Sequence, residues 1–201
     1  MNDSKNILAP IGGYLLDLGA KLRNDIFVPH SLTKLHNIAR LKSRTGATTV
    51  IEVGSYKGVT TRRLSYIFNA VHSIEIDQKL FAQAQQRCAG RKNITLHYGD
   101  GKHVLGKLAP NVSNCIVFLD GHFSGGETGQ GDEPEPVLAE LDSIGANLSP
   151  FVGIVIDDFH EFGMALGWPK KSDVLAKLER VMPEPVWLHA VMHDQFISLR
   201  R

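Results

Sequence analysis

Acidic residues recur in this chain at one kind of place, the end of a short apolar run. The run Thr49–Val53 carries Glu52 and opens into Gly54-Ser55-Tyr56-Lys57-Gly58. Glu75 and Asp77 close the run Val71–Ile76, Asp100 and Gly101 follow Ile94–Tyr98, Asp120 follows Cys115–Leu119, and Asp157-Asp158 follow Gly153–Ile156. Carboxylates in such places accept hydrogen bonds from hydroxyl and amino groups, hold hard cations, or take up a proton. Glu75 is placed to accept two hydrogen bonds from a ribose diol, and Asp100 to accept from an adenine amino group. Gly54 lets the chain leave its strand sharply with a ligand lying against bare backbone, and Gly58 lets the next helix start close to the sheet. Neither a G-x-G-x-x-G turn nor a P-loop is present. A carboxylate at Glu52, just below the glycine turn, repels a pyrophosphate and suits a ligand carrying an ammonium group.

The elements that must position these groups follow from the apolar spacing. The five runs lack alternation, which marks strands buried on both faces, and amphipathic stretches separate them: Val59–Asn69, Gln78–Ala89, a short turn near Lys102–Leu108, and Pro136–Asn147. Strand–helix alternation of this kind builds parallel βαβ units. A helix over Ser172–Val181 leads to the runs Val186–Val191 and Phe196–Leu199, whose short spacing suits a hairpin rather than a crossover. The expected fold is α/β: a doubly wound, Rossmann-like, seven-stranded and mostly parallel sheet with an antiparallel C-terminal hairpin strand and helices on both faces. Residues 10–24, with Ile11, Leu15, Leu18 and Leu22 on one side, and a second helix from an N-cap at Ser31 to Arg44, form a helical preface (1–46) to the core (47–201). No repeat or linker interrupts 1–201, so one domain is expected.

Composition narrows the function. With 22 Lys and Arg against 21 Asp and Glu there is no basic excess to track a phosphate backbone, so no nucleic-acid partner is expected. No apolar run is long enough to span a bilayer and no secretory leader is visible, which gives a cytoplasmic location with no membrane partner. Cys88 and Cys115 are too few for a disulfide scaffold and read as core packing. Nothing decides between a monomer and a homodimer.

The ordered set of motifs resembles the class I S-adenosylmethionine-dependent methyltransferases, in particular the group of catechol, caffeoyl-CoA and macrocin-type O-methyltransferases. Glu52-Val53-Gly54-Ser55-Tyr56-Lys57-Gly58 is similar to that group's E-x-G-x-x-x-G turn, and the likeness runs over about residues 47–160. It implies that Glu52 helps position the methionine ammonium group through the turn, that Gly54, Ser55 and Tyr56 approach the methionine moiety by backbone contacts, and that Gly58 belongs to the same turn. It further implies that Glu75 takes the ribose hydroxyls, that Ile76 packs on the adenine, and that Asp100 and Gly101 border it. Asp120 would face both cofactor and acceptor. Asp120, Asp157 and Asp158 resemble the set that holds Mg²⁺ or another divalent cation in metal-dependent members. Where catechol-type enzymes carry their basic lysine, three residues after the metal-binding aspartate, this chain has Phe123.

The expected activity is therefore methyl transfer, an O-methylation of a sugar or other small-molecule hydroxyl, metal-assisted if the three aspartates hold a cation. Asp120, His122 and His160 are the candidate catalytic residues, since each histidine lies two residues past a strand-end aspartate and titrates near neutrality. The segment 121–136, rich in glycine, is a candidate lid over the acceptor. Two alternatives stand beside this reading: a nicotinamide-dependent oxidoreductase on a similar fold, and a non-catalytic protein that binds S-adenosylmethionine.

Overall fold

The computed structural model describes residues 5–23, 30–121, 136–164 and 166–201, with side chains from residue 10 onward. Seven strands, β1 (Thr49–Val53), β2 (Ala70–Glu75), β3 (Ile94–Tyr98), β4 (Cys115–Leu119), β5 (Phe151–Ile156), β6 (Trp187–Met192) and β7 (Gln195–Arg200), form one sheet in the order β3-β2-β1-β4-β5-β7-β6. The first five run parallel, and β7 is antiparallel to both β5 and β6. All residues of β1 and β4 are buried, as their unbroken apolar runs require, and Val53 lies beside Leu119 in register.

Two apolar layers cover the sheet. On one face Ile51, Val53, Val117 and Leu119 pack with residues of α5 (Gly101–Leu108), α6 (Val137–Gly145) and α7 (Lys171–Val181). On the other, Val50, Ile116, Phe118 and Val155 meet Ile38 and Leu41 of α2 (Ser31–Thr45) and Leu64 of α3 (Val59–Leu64). The helix α4 (Gln78–Cys88) follows β2 and buries Leu80, Ala84 and Cys88. Both cysteines are buried free thiols. No helix among the described residues is long and apolar enough to cross a membrane.

Three local expectations change. The C-terminal hairpin turns on two residues, His193 and Asp194, both at positive φ (48° and 62°), the backbone that a right-twisted two-residue hairpin needs. α3 stops at Leu64 rather than Asn69: Ser65 turns its hydroxyl onto the carbonyl of Arg62, and the Asn93 side chain donates to the carbonyls of Ser65 and Phe68 at 2.8 and 3.0 Å, capping a tightened end. α1 (Lys5–Leu22) starts earlier than expected, and its apolar stripe of Ile11, Leu15, Leu18 and Leu22 faces outward.

The packed side of α1 is Gly13 and Asp17 instead. Asp17 does for α2 what the expected cap at Ser31 does not, because the N-cap is His30 and its side chain makes no capping bond. The His30 N–H donates to Asp17 Oδ2 at 2.7 Å, Thr33 Oγ1 donates to the same oxygen, and His30 Nδ1 lies 2.6 Å from Oδ1. Asp17→Ala removes all three partners and is expected to cost about 1–3 kcal/mol of stability, read from the urea midpoint. An unchanged midpoint would show that α1 does not brace α2.

Candidate active site

The winding of the sheet reverses between β1 and β4, and the chain leaves β1 there through Gly54. A Cβ at Gly54, whose φ is +92°, would fall 2.3 Å from the carbonyl oxygen of Asp120. Glycine is needed here for the approach of two strand ends, a reason different from the bare ligand surface expected from sequence. Gly58, at φ +74°, caps α3, and a Cβ on it would come within 3.0 Å of Ala84 in α4. That glycine fixes helix against helix.

Glu52 does not face a ligand. It is fully buried, on the same face of β1 as Val50, and its Oε2 accepts from the hydroxyls of Thr61 and Ser73, each at 2.5 Å. Ser55 is also buried, with its hydroxyl 2.5 Å from that of Ser73, which leaves the backbone of the turn, as expected from the resemblance, as the surface it offers. Burial pushes the Glu52 carboxyl up to about 7, with Ser73 and Thr61 pulling it back and Glu75 adding to the rise. Its Oε1 has no hydrogen-bond partner among the described residues, which suits a carboxyl that keeps its proton.

Glu75 is where the strand ends are tied together. Its Oε2 accepts from the Tyr56 N–H at 2.8 Å and its Oε1 from the Asp77 N–H at 2.9 Å. Burial raises this carboxyl as well, against the pull of those backbone donors. The Ile76 backbone also pulls on this carboxylate, and of its about four acceptor sites at least one stays open to a ribose hydroxyl. Tyr56 stands exposed at φ 48°, and Ile76, next to Glu75 in sequence, is half-buried. This donor set fits the ribose side of S-adenosylmethionine. Asp77 and Asp100 serve as N-caps, accepting from Leu80 N–H and Lys102 N–H, and Asp100 also faces the Lys102 ammonium at 3.6 Å. Gly101 is buried, and a Cβ on it would meet Val53 and Glu140.

Asp120, Asp157 and Asp158 do converge, on a cavity of about 230 Å³ shared with Ser31, Lys34, Leu35 and Thr60. The space between Asp157 and Asp158 is taken by Lys34, whose ammonium lies 2.9 Å from Asp157 Oδ1 and 2.5 Å from Asp158 Oδ1. Burial opposes the lysine's charge, but the two carboxylates outweigh it and raise its pKa, so it is held as the ammonium. Burial also lifts Asp157, with Asp158 beside it adding to the rise and Lys34 opposing it. As the side chains stand, this set does not fit a divalent cation. Lys34 was missed in the sequence, although Lys34, Ile38 and Leu41 share one helical stripe at i, i+4 and i+7 and the two apolar members are buried.

His160 does not line this cavity, but it offers a ring nitrogen within 4.8 Å of carboxylate oxygens of Asp158 and Asp194, a group of metal-ligand types. Its Nδ1 lies 2.6 Å from Asp194 Oδ2 and its Nε2 2.9 Å from Glu161 Oε1, so both ring nitrogens are engaged by carboxylates. His122 and the candidate lid, apart from its end residues Gly121 and Pro136, lie outside the described residues.

Comparison with known proteins bears on the same region. Residues 22–103 match the family model described as ribosomal RNA adenine dimethylase. The ribosomal RNA small subunit methyltransferase A of Moorella thermoacetica is 37% identical over 70 residues, 35% of this chain and 24% of that protein, so the chain spans about a quarter of its relative's length. Among solved structures, a putative caffeoyl-CoA O-methyltransferase from Staphylococcus aureus superposes with a TM-score of 0.59 at 13% identity, over 93% of this chain and 91% of that one. An O-methyltransferase from Bacillus cereus, solved with S-adenosylhomocysteine, gives 0.60 at 18% identity over 92% and 88%. The fold is that of the class I methyltransferases. The expected class of S-adenosylmethionine-dependent methyltransferase is supported twice, by the family match over the cofactor half and by the fold over nearly all of the chain. The ribosomal RNA match runs against the expectation that no nucleic acid is a partner.

Glu52 supplies a test of this geometry. The folded carboxyl holds its proton to about pH 7, whereas the ordinary value is 4.5. Between these values the folded state binds more protons than the unfolded one, so this group's contribution to stability falls as pH rises and levels off above the folded value. Glu52→Gln abolishes that slope, and its stability relative to the parent should climb across the window by up to roughly 3 kcal/mol. Parallel stability curves in urea from acid to neutral pH would mean that Glu52 ionises freely.

Proposed function

We propose that this chain is an S-adenosylmethionine-dependent O-methyltransferase acting on a small, hydroxylated acceptor. The observation that carries the proposal is the cavity lined by Asp120, Asp157 and Asp158, which adjoins the Gly54 turn at the sheet's switch point. When bound, the cofactor supplies a methyl group on a sulfonium, activated for in-line displacement by an acceptor oxygen. Glu75 holds the ribose and Tyr56 and Ile76 flank it. Asp120, which lines the cavity, takes the hydroxyl proton. The metal expected from sequence has no part in this reading, and a cytoplasmic location accompanies it.

The second reading is an RNA methyltransferase, favoured by the family match. That match ends at residue 103, before β4 and β5 bring in the carboxylates of the acceptor side. Among the described lining residues three carboxylates face one ammonium, a balance that disfavours a phosphate backbone and suits a neutral or cationic acceptor.

Transfer of labelled methyl from S-adenosylmethionine should appear on neutral hydroxylated or amino-sugar acceptors and be absent from ribosomal RNA. Label on RNA adenine alone would favour the second reading. Glu75→Ala should weaken binding of S-adenosylhomocysteine by roughly 1.5–3 kcal/mol in calorimetry. Unchanged affinity would take Glu75 out of the site.

A further inference from the structure

We propose that Lys34 is the resident cation of the acceptor cavity, standing between Asp157 and Asp158 in place of a metal ion, so that methyl transfer here is metal-independent. The inference deepens the reading above and rests on it for the identity of the reaction. Asp120, Asp157 and Asp158 form an all-oxygen set of the kind a hard divalent cation takes. A metal bound there would use the same oxygens that Lys34 approaches at 2.9 and 2.5 Å. An ammonium and a divalent ion on the same oxygens repel each other, so Lys34 weakens any metal's hold there.

The lysine is not a surface side chain that has strayed inward. Its side chain is 15% exposed, and Ile38 and Leu41 below it on α2 are buried in the core. α2 is fixed at both neighbouring elements. Asp17 of α1 binds its first turn, and the Asn37 amide donates to Gln195 Oε1 at 2.8 Å and to the Met192 carbonyl at 3.2 Å in the C-terminal hairpin. Withdrawing Lys34 from the aspartates would take an ammonium at 2.9 Å away from Asp157, a carboxylate only 3% exposed. The helix thus delivers one positive charge to the place where two strand-end carboxylates need it.

Lys34 is on this account a positioning residue. It holds Asp157 and Asp158 and does not itself exchange the proton.

The test is Mn²⁺ binding followed by electron paramagnetic resonance on the intact protein, with no cofactor added. Wild type should hold no stoichiometric Mn²⁺, and its methyl transfer should be unchanged by excess EDTA. Lys34→Met, which keeps the apolar stem and removes the charge, should gain one Mn²⁺ per chain, bound about tenfold or more tighter than any residual wild-type binding. Lys34→Arg, which keeps the charge, should gain none. Stoichiometric Mn²⁺ on wild type, or turnover abolished by EDTA and restored by Mn²⁺, overturns the proposal. So does a folded Lys34→Met that binds no Mn²⁺. A protein that binds no S-adenosylhomocysteine sinks the functional reading instead, a result separable from the Mn²⁺ measurement.

Discussion

Where the winding of the sheet reverses, the backbone of Gly54 lies so close to the carbonyl of Asp120 that no side chain fits between them. Everything at the candidate site depends on that contact. It brings the turn after β1 onto the end of β4, and the Asp120 N–H closes it by donating to the Val53 carbonyl at 2.9 Å. The N–H groups of Gly54 and Ser55 both reach the Ile74 carbonyl at 3.0 Å, and the next N–H, of Tyr56, goes to Glu75. Three strand ends are thus joined largely through backbone bonds before any ligand is considered. The crevice beside them is a consequence of how the sheet is wound.

Burial then sorts the acidic residues that look alike in sequence. Glu52, sealed under α3 among hydroxyls, keeps its proton near neutrality and acts as a polar bolt between β1, β2 and α3. Asp157, equally buried, has an ammonium at 2.9 Å. The difference is the partner each finds: hydroxyls satisfy a neutral acid, whereas a charged one in the same depth needs a cation. Asp77 and Asp100 need neither, because a helix N-terminus supplies N–H donors.

The sheet was legible because its central strands are apolar on both faces, and that pattern has few other readings. The antiparallel strand followed from a connection too short for a crossover. Helix ends were less legible, since the end of α3 depends on Asn93, nearly thirty residues away in sequence, and the start of α2 on Asp17 of another helix. Among site residues, strand-end position led to Asp120, which lines the cavity, and to Glu75, which ties the turn after β1 to the end of β2. It did not separate ligand-facing acids from caps, because both stand at strand–helix junctions and both accept hydrogen bonds. The parity of β1 holds the signal for Glu52, which shares its face with Val50 and so points under α3. Lys34 lies within the helical preface, far in sequence from the acids it serves, and its only mark is a lysine on an otherwise buried stripe.

A crystal structure with S-adenosylhomocysteine, grown in excess Mg²⁺, tests the account most directly. The account predicts the ribose hydroxyls on Glu75, the turn at Gly54 unmoved against Asp120, and Lys34 still between Asp157 and Asp158. A cofactor bound away from Glu75, or Mg²⁺ on the aspartates with Lys34 displaced, would contradict it.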